Sequence, residues 1–292
     1  MEDHSVKQAK LALVKSNSVY ERDKYMKIKR ILSGIIGLPI VALILIYGNI
    51  YIIDILFSIV AGIAIHEYFN AFKENNKPVK WLGYASCILI AFLHINPIKY
   101  LAVTAGLAIP LIIALLFIKV VTSNMKTTIA DIMITFFGIC YVVFFLSFIP
   151  LLHGIENGKY LIWFILIAAW GTDTCAYFVG CKFGKHKFSK ISPKKSIEGC
   201  IGGTIGSIII ALIYTFALNK LVGLEISYIY IALIGGALSI LSQMGDLSAS
   251  SIKRTVGIKD FGNLIPGHGG MLDRIDSIIF IAPFAYFLLT LI

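Results

Sequence analysis

Long apolar runs recur along the chain from residue 31 to the C-terminus, with short polar segments between them. A helix needs roughly 20 residues to cross about 30 Å of hydrocarbon, because it rises about 1.5 Å per residue. Nine runs have about this length, which predicts nine transmembrane helices. Their approximate bounds are 31–48, 49–72, 79–95, 98–119, 128–152, 159–180, 200–219, 226–244 and 275–292.

The composition supports this interpretation. Of the 292 residues, 58% are hydrophobic and 14% are charged, which is more apolar surface than a soluble domain of this length buries. The five cysteines include no CxxC pair, which argues against a zinc site and a disulfide framework. The predicted fold class is an all-α polytopic membrane protein.

The distribution of basic residues predicts the orientation. With the N-terminus in the cytoplasm, 23 of the 26 Lys and Arg residues fall on inside segments, and only Lys99, Lys159 and Lys220 fall outside. The positive-inside rule then predicts an N-in, C-out topology. The net charge of +10 is therefore a topology signal that favours anionic lipid headgroups, and nucleic acid is not an expected partner.

Three regions follow from this pattern. We expect a basic cytoplasmic leader at 1–30, N-terminal transmembrane helices over 31–152, and a C-terminal transmembrane region over 153–292 with two cytoplasmic loops, 181–199 and 245–274. The candidate catalytic residues fall in this C-terminal region. The leader is too long and polar for the n-region of a cleaved signal peptide.

Ionisable residues of the N-terminal half lie mostly near the ends of predicted spans. Asp54, His66, Glu67 and Asp131 could be functional. We favour the alternative that they are interfacial or helix-end residues, because a side chain near the headgroups need not lose its water.

Asp173 is different, because it lies about seven residues inside the sixth predicted span. Helical rise places it roughly 10 Å deep, where a carboxylate costs about 2.5 to 3.5 kcal/mol. It should face a cavity or a cation. We favour a functional role over a structural ion pair.

The segment S-P-K-K-S-I-E-G at 192–199 has the components of a phosphate site. Lys194 and Lys195 offer two adjacent positive charges, and Ser192 and Ser196 offer hydroxyl donors. The alternative for the basic residues of this loop is a topology signal alone.

The last inside loop carries the densest set of polar residues. The eighth span should continue as a helix to about residue 256, which aligns Asp246, Ser250 and Lys253 on one face. Asp273 and Asp276 share a face at the start of the ninth span, and Arg274 points elsewhere. The run P-G-H-G-G before them includes His268, Gly269 and Gly270, and its glycines let backbone N–H groups approach an anion.

Four carboxylates therefore meet one membrane face beside several basic residues. An oxygen-only ligand set without Cys or His suits Mg²⁺, and the basic residues suit phosphates. The predicted reaction class is phosphoryl or nucleotidyl transfer to a lipid. The carboxylates are Asp173, Asp246, Asp273 and Asp276.

The stretch from 250 to 276, S-S-I-K-R-T-V-G-I-K-D-F-G-N-L-I-P-G-H-G-G-M-L-D-R-I-D, resembles the long signature of the phosphatidate cytidylyltransferase family. The run A-Y-F at 176–178 and the S-P-K-K-S-x-E-G segment also resemble motifs of this family. Two positions depart from it, since Ala249 replaces a frequent Glu and Cys181 a basic residue. Ala249 puts an essential role for a glutamate at that position in doubt.

The resemblance implies that CTP and phosphatidic acid react to give CDP-diacylglycerol and pyrophosphate. It also implies Mg²⁺, with a second cation as a further candidate, a site on the cytoplasmic face of the cell membrane, and a homodimer. We expect Asp246 and Asp273 to bind the metal, with Asp173 and Asp276 nearby. The expected contacts to the triphosphate and the lipid phosphate are Ser192, Lys194, Lys195, Ser196, Ser250, Lys253, Arg254, His268, Gly269, Gly270 and Arg274.

Two other functions are open at this point. A CTP-dependent polyprenol or phytol kinase is a related membrane enzyme, but it would need a base for its alcohol acceptor. A transporter could use the intramembrane Asp173, but it would distribute its charges across the membrane and repeat its halves.

Overall fold

The computed structural model describes residues 39, 41–95, 101–124, 126–189, 191–264 and 269–292. Over these ranges the chain is built from helices and one isolated antiparallel β-bridge, between Lys187 and Ser196. Residues 41–47 are helical and precede eight longer helices. These are α1 (Ile50–Ala71), α2 (Lys80–Ile90), α3 (Leu101–Thr122), α4 (Ile129–His153), α5 (Gly158–Phe183), α6 (Ile197–Leu221), α7 (Tyr228–Thr255) and α8 (Leu272–Leu289).

The last eight predicted spans coincide with these eight helices in chain order. Most of the first predicted span and the whole basic leader lie outside the described residues. The predicted extension of the eighth span is confirmed, since α7 ends at Thr255 and Gly257 follows with a φ of +75°. Only glycine adopts this conformation without a steric penalty, which explains why the helix stops there.

Five of the helices, α1, α4, α5, α6 and α7, are long and apolar enough to cross a membrane. The chain is therefore an integral membrane protein. A stripe on α6 supports this, because four isoleucines spaced one turn apart are each more than half exposed, and such a face is stable only against lipid or protein. They are Ile201, Ile205, Ile209 and Ile213. Helix α8 falls outside the five because its first turns carry charged residues.

Small residues bring α5 and α6 unusually close together. Gly199, Gly203 and Ser207 recur at intervals of four on the face of α6 that meets α5. A Cβ atom on Gly199 or Gly203 would lie 2.8 Å from a backbone carbonyl oxygen of α5. Glycine therefore permits this packing, as in other small-residue helix contacts in membranes.

Buried hydroxyl and amide groups join α5, α6 and α7. The Thr172 hydroxyl of α5 donates to the Ser239 hydroxyl of α7 at 2.7 Å. The Gln243 amide of α7 donates to the Thr204 hydroxyl of α6 at 3.0 Å. Since polar groups buried between membrane helices need partners, these bonds set the register of the three helices. Thr172 directly precedes Asp173, and Gln243 lies about one turn before Asp246.

Candidate active site

One lysine–carboxylate pair joins the α5–α6 loop to α7, and a second joins α7 to α8. The Nζ atom of Lys195 lies 2.6 Å from an Oδ atom of Asp246, and the Nζ atom of Lys253 lies 2.7 Å from an Oδ atom of Asp273. In the first pair the side chains are 24% and 28% exposed, and in the second they are 12% and 2% exposed. The first pair is therefore the more accessible one.

Lys195 remains charged in this setting. Burial alone would lower the pKa of its ammonium group, but the Asp246 carboxylate outweighs burial and the pKa is raised overall. Asp173 lies within electrostatic range of both Lys195 and Asp246. Lys195 is thus a charged side chain that has two carboxylates near it, those of Asp246 and Asp173.

Asp273 is enclosed by donors. One carboxylate oxygen binds Lys253, and the other accepts the backbone N–H groups of Phe261 at 2.8 Å and Gly270 at 3.0 Å. The Phe261 ring also lies 5.3 Å from the Lys253 ammonium. Gly269, with a φ of +84°, makes the turn that brings the Gly270 N–H to this carboxylate. Asp273 therefore connects two separate points of the α7–α8 loop, Phe261 and Gly270, to Lys253.

Asp173 and Asp276 approach the accessible pair from α5 and α8. Asp276 is 6% exposed and lies within electrostatic range of Asp246 and Asp173. Asp173 is exposed on α5 and lies within electrostatic range of the Lys195 ammonium. It follows a π-helical segment, Ile167–Gly171, and such interruptions are frequent at functional sites.

Tyr141 is a further candidate site residue, which sequence reasoning missed. It lies in the second π-helical segment, Ile139–Phe144 of α4, and it is 5% exposed. Its hydroxyl has no hydrogen-bond partner among the described residues, and it lies within electrostatic range of Asp246 and Asp276. The only sequence signal was a tyrosine within an apolar run, which is common in buried helices.

The expectation that the Glu67 carboxylate keeps its water near the headgroups was wrong. Its side chain is 6% exposed, because the carboxylate accepts the backbone N–H groups of Met271 at 3.0 Å and Leu272 at 2.8 Å. Asp54 is also buried, at 0% exposure, where it pairs with His94 at 2.8 Å. Both carboxylates can be buried away from water because residues distant in sequence supply their hydrogen-bond partners.

The other two residues of that group differ. Asp131 is confirmed as a helix-end residue, since it forms a capping box with Thr128 at the start of α4. His66 is exposed and its ring nitrogen lies 2.6 Å from the Tyr84 hydroxyl.

The loop between α5 and α6 folds back on itself. The Phe188 N–H donates to the Lys195 carbonyl at 2.9 Å, and the Glu198 carboxylate holds the His186 ring at 2.6 Å. The Ser196 hydroxyl caps α6 by accepting the Gly199 N–H at 3.1 Å. This arrangement turns Lys195 toward Asp246 and leaves the neighbouring Lys194 exposed.

The remaining predicted residues lie at the rim of the site or outside the described ranges. Arg254 and Arg274 are exposed, and Arg274 is within electrostatic range of Asp173. Ser192 and Ser250 are half-buried. His268 lies outside the described residues. Within the described ranges, no group of three or more His, Cys, Asp and Glu side chains is arranged around a common metal position.

The arrangement suits a reaction between two polyanions. Partly buried lysines paired with carboxylates can neutralise phosphates, and the exposed cations can attract them. Carboxylates at the same place can hold a divalent cation that bridges phosphate oxygens. The fold and the site together define the class of membrane-embedded enzymes that transfer phosphate-linked groups.

Comparison with known proteins identifies the family. A model of the cytidylyltransferase family matches residues 28–292, and the chain belongs to this family of nucleotidyltransferase enzymes. It is 34% identical over 270 residues to the phosphatidate cytidylyltransferase of Bacillus subtilis, covering 90% of this chain and 97% of that protein. The Staphylococcus saprophyticus phosphatidate cytidylyltransferase is 34% identical over 265 residues, covering 89% and 98%. That of Thermotoga maritima is 40% identical over 152 residues, covering 51% and 56%. The resemblance seen in the sequence is confirmed.

Proposed function

We propose that the chain transfers CMP from CTP to phosphatidic acid, forming CDP-diacylglycerol and pyrophosphate. The observation that carries this proposal is that the Lys195–Asp246 and Lys253–Asp273 pairs both lie within electrostatic range of Asp276, in a chain of the cytidylyltransferase family. Two relatives that align with this chain over nearly their whole length are phosphatidate cytidylyltransferases.

The chemistry requires positioning and charge neutralisation more than proton transfer. An oxygen of the lipid phosphate attacks the α-phosphorus of CTP, and the bond from that phosphorus to the bridging oxygen of pyrophosphate breaks. The attacking oxygen is already anionic, so that no strong base is needed. The main barrier is the repulsion between two polyanions, which fixed cations in a water-poor site can offset.

The lysine pairs are suited to this task. Lys195 is accessible enough to reach a triphosphate while Asp246 keeps it charged. Lys253, held by Asp273 and the Phe261 ring, presents a second cation in a fixed direction. Exposed cations of the rim can attract CTP, while the hydroxyls and the N–H groups of the loops can donate to phosphate oxygens. These residues are Lys194, Arg254, Arg274, Ser192, Ser196, Ser250, His268 and Gly269. The Gly270 N–H already donates to Asp273.

The residues at this site fit a magnesium ion shared with the substrate. Mg²⁺ usually takes one or two carboxylates and completes its shell with phosphates and water, so a protein cluster of three ligands is not needed. Asp246 is the most suitable ligand, because it is partly exposed and near Asp173 and Asp276. Asp273 fits less well, since both of its oxygens already have donors. The ion would offset the charge of the triphosphate and of the departing pyrophosphate. A requirement for a second cation stays a prediction.

Two CTP preparations distinguish this function from a lipid kinase. Purified protein in detergent receives phosphatidic acid and CTP that carries the radiolabel on either the α- or the γ-phosphate. We expect the α-label to enter the lipid and the γ-label to appear as pyrophosphate. Diacylglycerol or a polyprenol as the acceptor should give no labelled lipid. A γ-label in the lipid would assign the kinase activity instead, and no transfer from either preparation would remove both.

The finer topology is also a proposal: nine spans, N-in and C-out, in the cytoplasmic membrane, with the site facing the cytoplasm. The C-terminal halves of α5 and α7 and the first two turns of α8 carry the candidate site residues, which supports a single membrane face for them. The same face would hold most of the basic residues. A homodimer stays a prediction, which light scattering of the detergent-solubilised protein can check.

Single cysteines in a cysteine-free variant test this orientation. Lys77→Cys, Lys187→Cys and Lys259→Cys, all at exposed positions, should be protected from an impermeant thiol reagent in intact cells. Glu156→Cys, in the exposed connection between α4 and α5, should be labelled. All four should react after the cells are opened. Labelling of Lys259→Cys in intact cells would reverse the orientation.

A further inference from the structure

The start of α8 is capped by a residue from the other half of the chain. Met271 precedes the helix and makes no side-chain capping bond of its own. Instead, the Glu67 carboxylate of α1 accepts the Met271 and Leu272 N–H groups, one with each oxygen. Helix N-termini carry unpaired N–H groups and a partial positive charge. A buried carboxylate there is stabilised both by hydrogen bonds and by the helix dipole.

The α7–α8 loop is shaped around this carboxylate. Two segments of this loop, 261–264 and 269–271, pack against Glu67, and we call them the loop ends. A Cβ atom on Gly262 or on Gly270 would overlap the Glu67 carboxylate, so only glycine fits at either position while the glutamate stays in place.

The same loop ends are also held from the other side by Asp273. Its carboxylate accepts the Phe261 and Gly270 N–H groups while it binds Lys253. The N–H groups of Phe261, Gly270, Met271 and Leu272 thus hold the loop ends between two carboxylates, one from α1 and one from α8. Movement of Glu67 must therefore shift the backbone that orients the Asp273–Lys253 pair.

We propose that Glu67 is a positioning residue for the transfer reaction. It holds the loop ends and the first turn of α8 so that Asp273 aims Lys253 at the phosphates. The proposal rests on the function proposed above for that pair. It also gives the N-terminal half a defined part in the chemistry, because α1 supplies a group without which the C-terminal site loses its geometry.

Glu67→Gln tests the proposal with little change in volume. The amide keeps one acceptor oxygen but sets an NH₂ group against a backbone N–H, so one hydrogen bond and the capping charge are lost. We expect kcat to fall about 10-fold or more, with a smaller change in KM for CTP, because the cation is misdirected rather than removed. Glu74→Gln, the same change at an exposed residue just beyond α1, should leave kcat unchanged.

A purely structural role is separated by two further measurements. Asp54→Asn removes a buried carboxylate at the opposite end of α1, and it should lower the thermal midpoint with little effect on kcat. Hydrogen exchange of Glu67→Gln should accelerate in the loop ends and the first turn of α8, while α6 stays protected. This exchange result does not depend on activity, so it stands or fails independently of the reaction assigned to the wild type.

Gly262→Ala provides a second route if Glu67→Gln folds poorly. This variant keeps the glutamate at position 67, but the added methyl group displaces the Glu67 carboxylate from the loop. It should therefore reduce kcat in the same way. A normal kcat in both variants would overturn the proposal. A loss that only matches the unfolded fraction, with exchange of the loop ends unchanged, would overturn it too.

Discussion

Replacing Asp273 with Asn should lower kcat/KM by about 10²-fold or more, a loss of about 2.7 kcal/mol in transition-state stabilisation. The amide can still accept a backbone N–H with its oxygen. It cannot neutralise Lys253, whose side chain is only 12% exposed. Breaking one partner of a buried ion pair typically costs about 3 to 5 kcal/mol, because the remaining charge is left without compensation. Lys253 should therefore turn away from the phosphates or lose its proton.

A double-mutant cycle with Lys253→Gln measures whether the two residues act as one unit. We expect each single variant to lose most of the activity and the double variant to be little worse than either. The assay is transfer of the α-label from CTP to lipid, with monodispersity checked for each protein. Glu225→Gln, an exposed carboxylate in the α6–α7 connection, is the control and should behave as wild type. Additive losses would show that Asp273 and Lys253 act independently.

The helices were predictable because apolar length and local stop signals determine them. The fifth predicted span, 128–152, matches α4 to within one residue at each end, since Thr128 caps the helix. The end of α7 followed from Gly257. The π-helical segments of α4 and α5 could not be predicted. Each inserts a residue into a turn without a change in hydrophobicity, yet it rotates the side chains that follow.

The sequence predicted that Lys195, Asp246, Lys253 and Asp273 lie near one another, but it did not predict how they pair. Helical spacing placed Asp246 and Lys253 on one face of α7, which suggested that they act together. In the structure each pairs with a residue of another element, Lys195 and Asp273 respectively. Such partners depend on how loops fold back over a helix, and periodicity carries no information about that.

Glu67 illustrates the same limit over a longer distance. Its predicted position near a span end was consistent with a hydrated carboxylate. Its actual partners are backbone N–H groups 204 and 205 residues later in the chain. Backbone groups leave no residue-type signal. The only local trace of this contact is glycine at positions 262 and 270, which also suits an ordinary turn.

Asn at position 246 should reduce kcat/KM by about 10²-fold as well, but for a different reason. Asp246 is the partly exposed carboxylate that we propose as a ligand of Mg²⁺. Asn keeps the size and polarity of the side chain but removes the charge that offsets that of the metal. The stabilisation of departing pyrophosphate, worth several kcal/mol in metal-assisted transfers, should fall with the metal affinity.

A Mg²⁺ titration separates the two aspartates. Asp246→Asn should shift the activation midpoint to higher Mg²⁺ concentration, and Asp273→Asn should lower the plateau with little shift. Lys195→Gln should raise KM for CTP, since it removes a phosphate contact, while Lys194→Gln at the exposed neighbour should have a smaller effect.

The outcomes of this titration assign the metal site. An unchanged midpoint in Asp246→Asn would remove that residue from it. A shifted midpoint in Asp273→Asn would mean that Asp273 exchanges Lys253 for the ion when substrate binds. In that case both aspartates share the metal, and their double variant should be little worse than either single one.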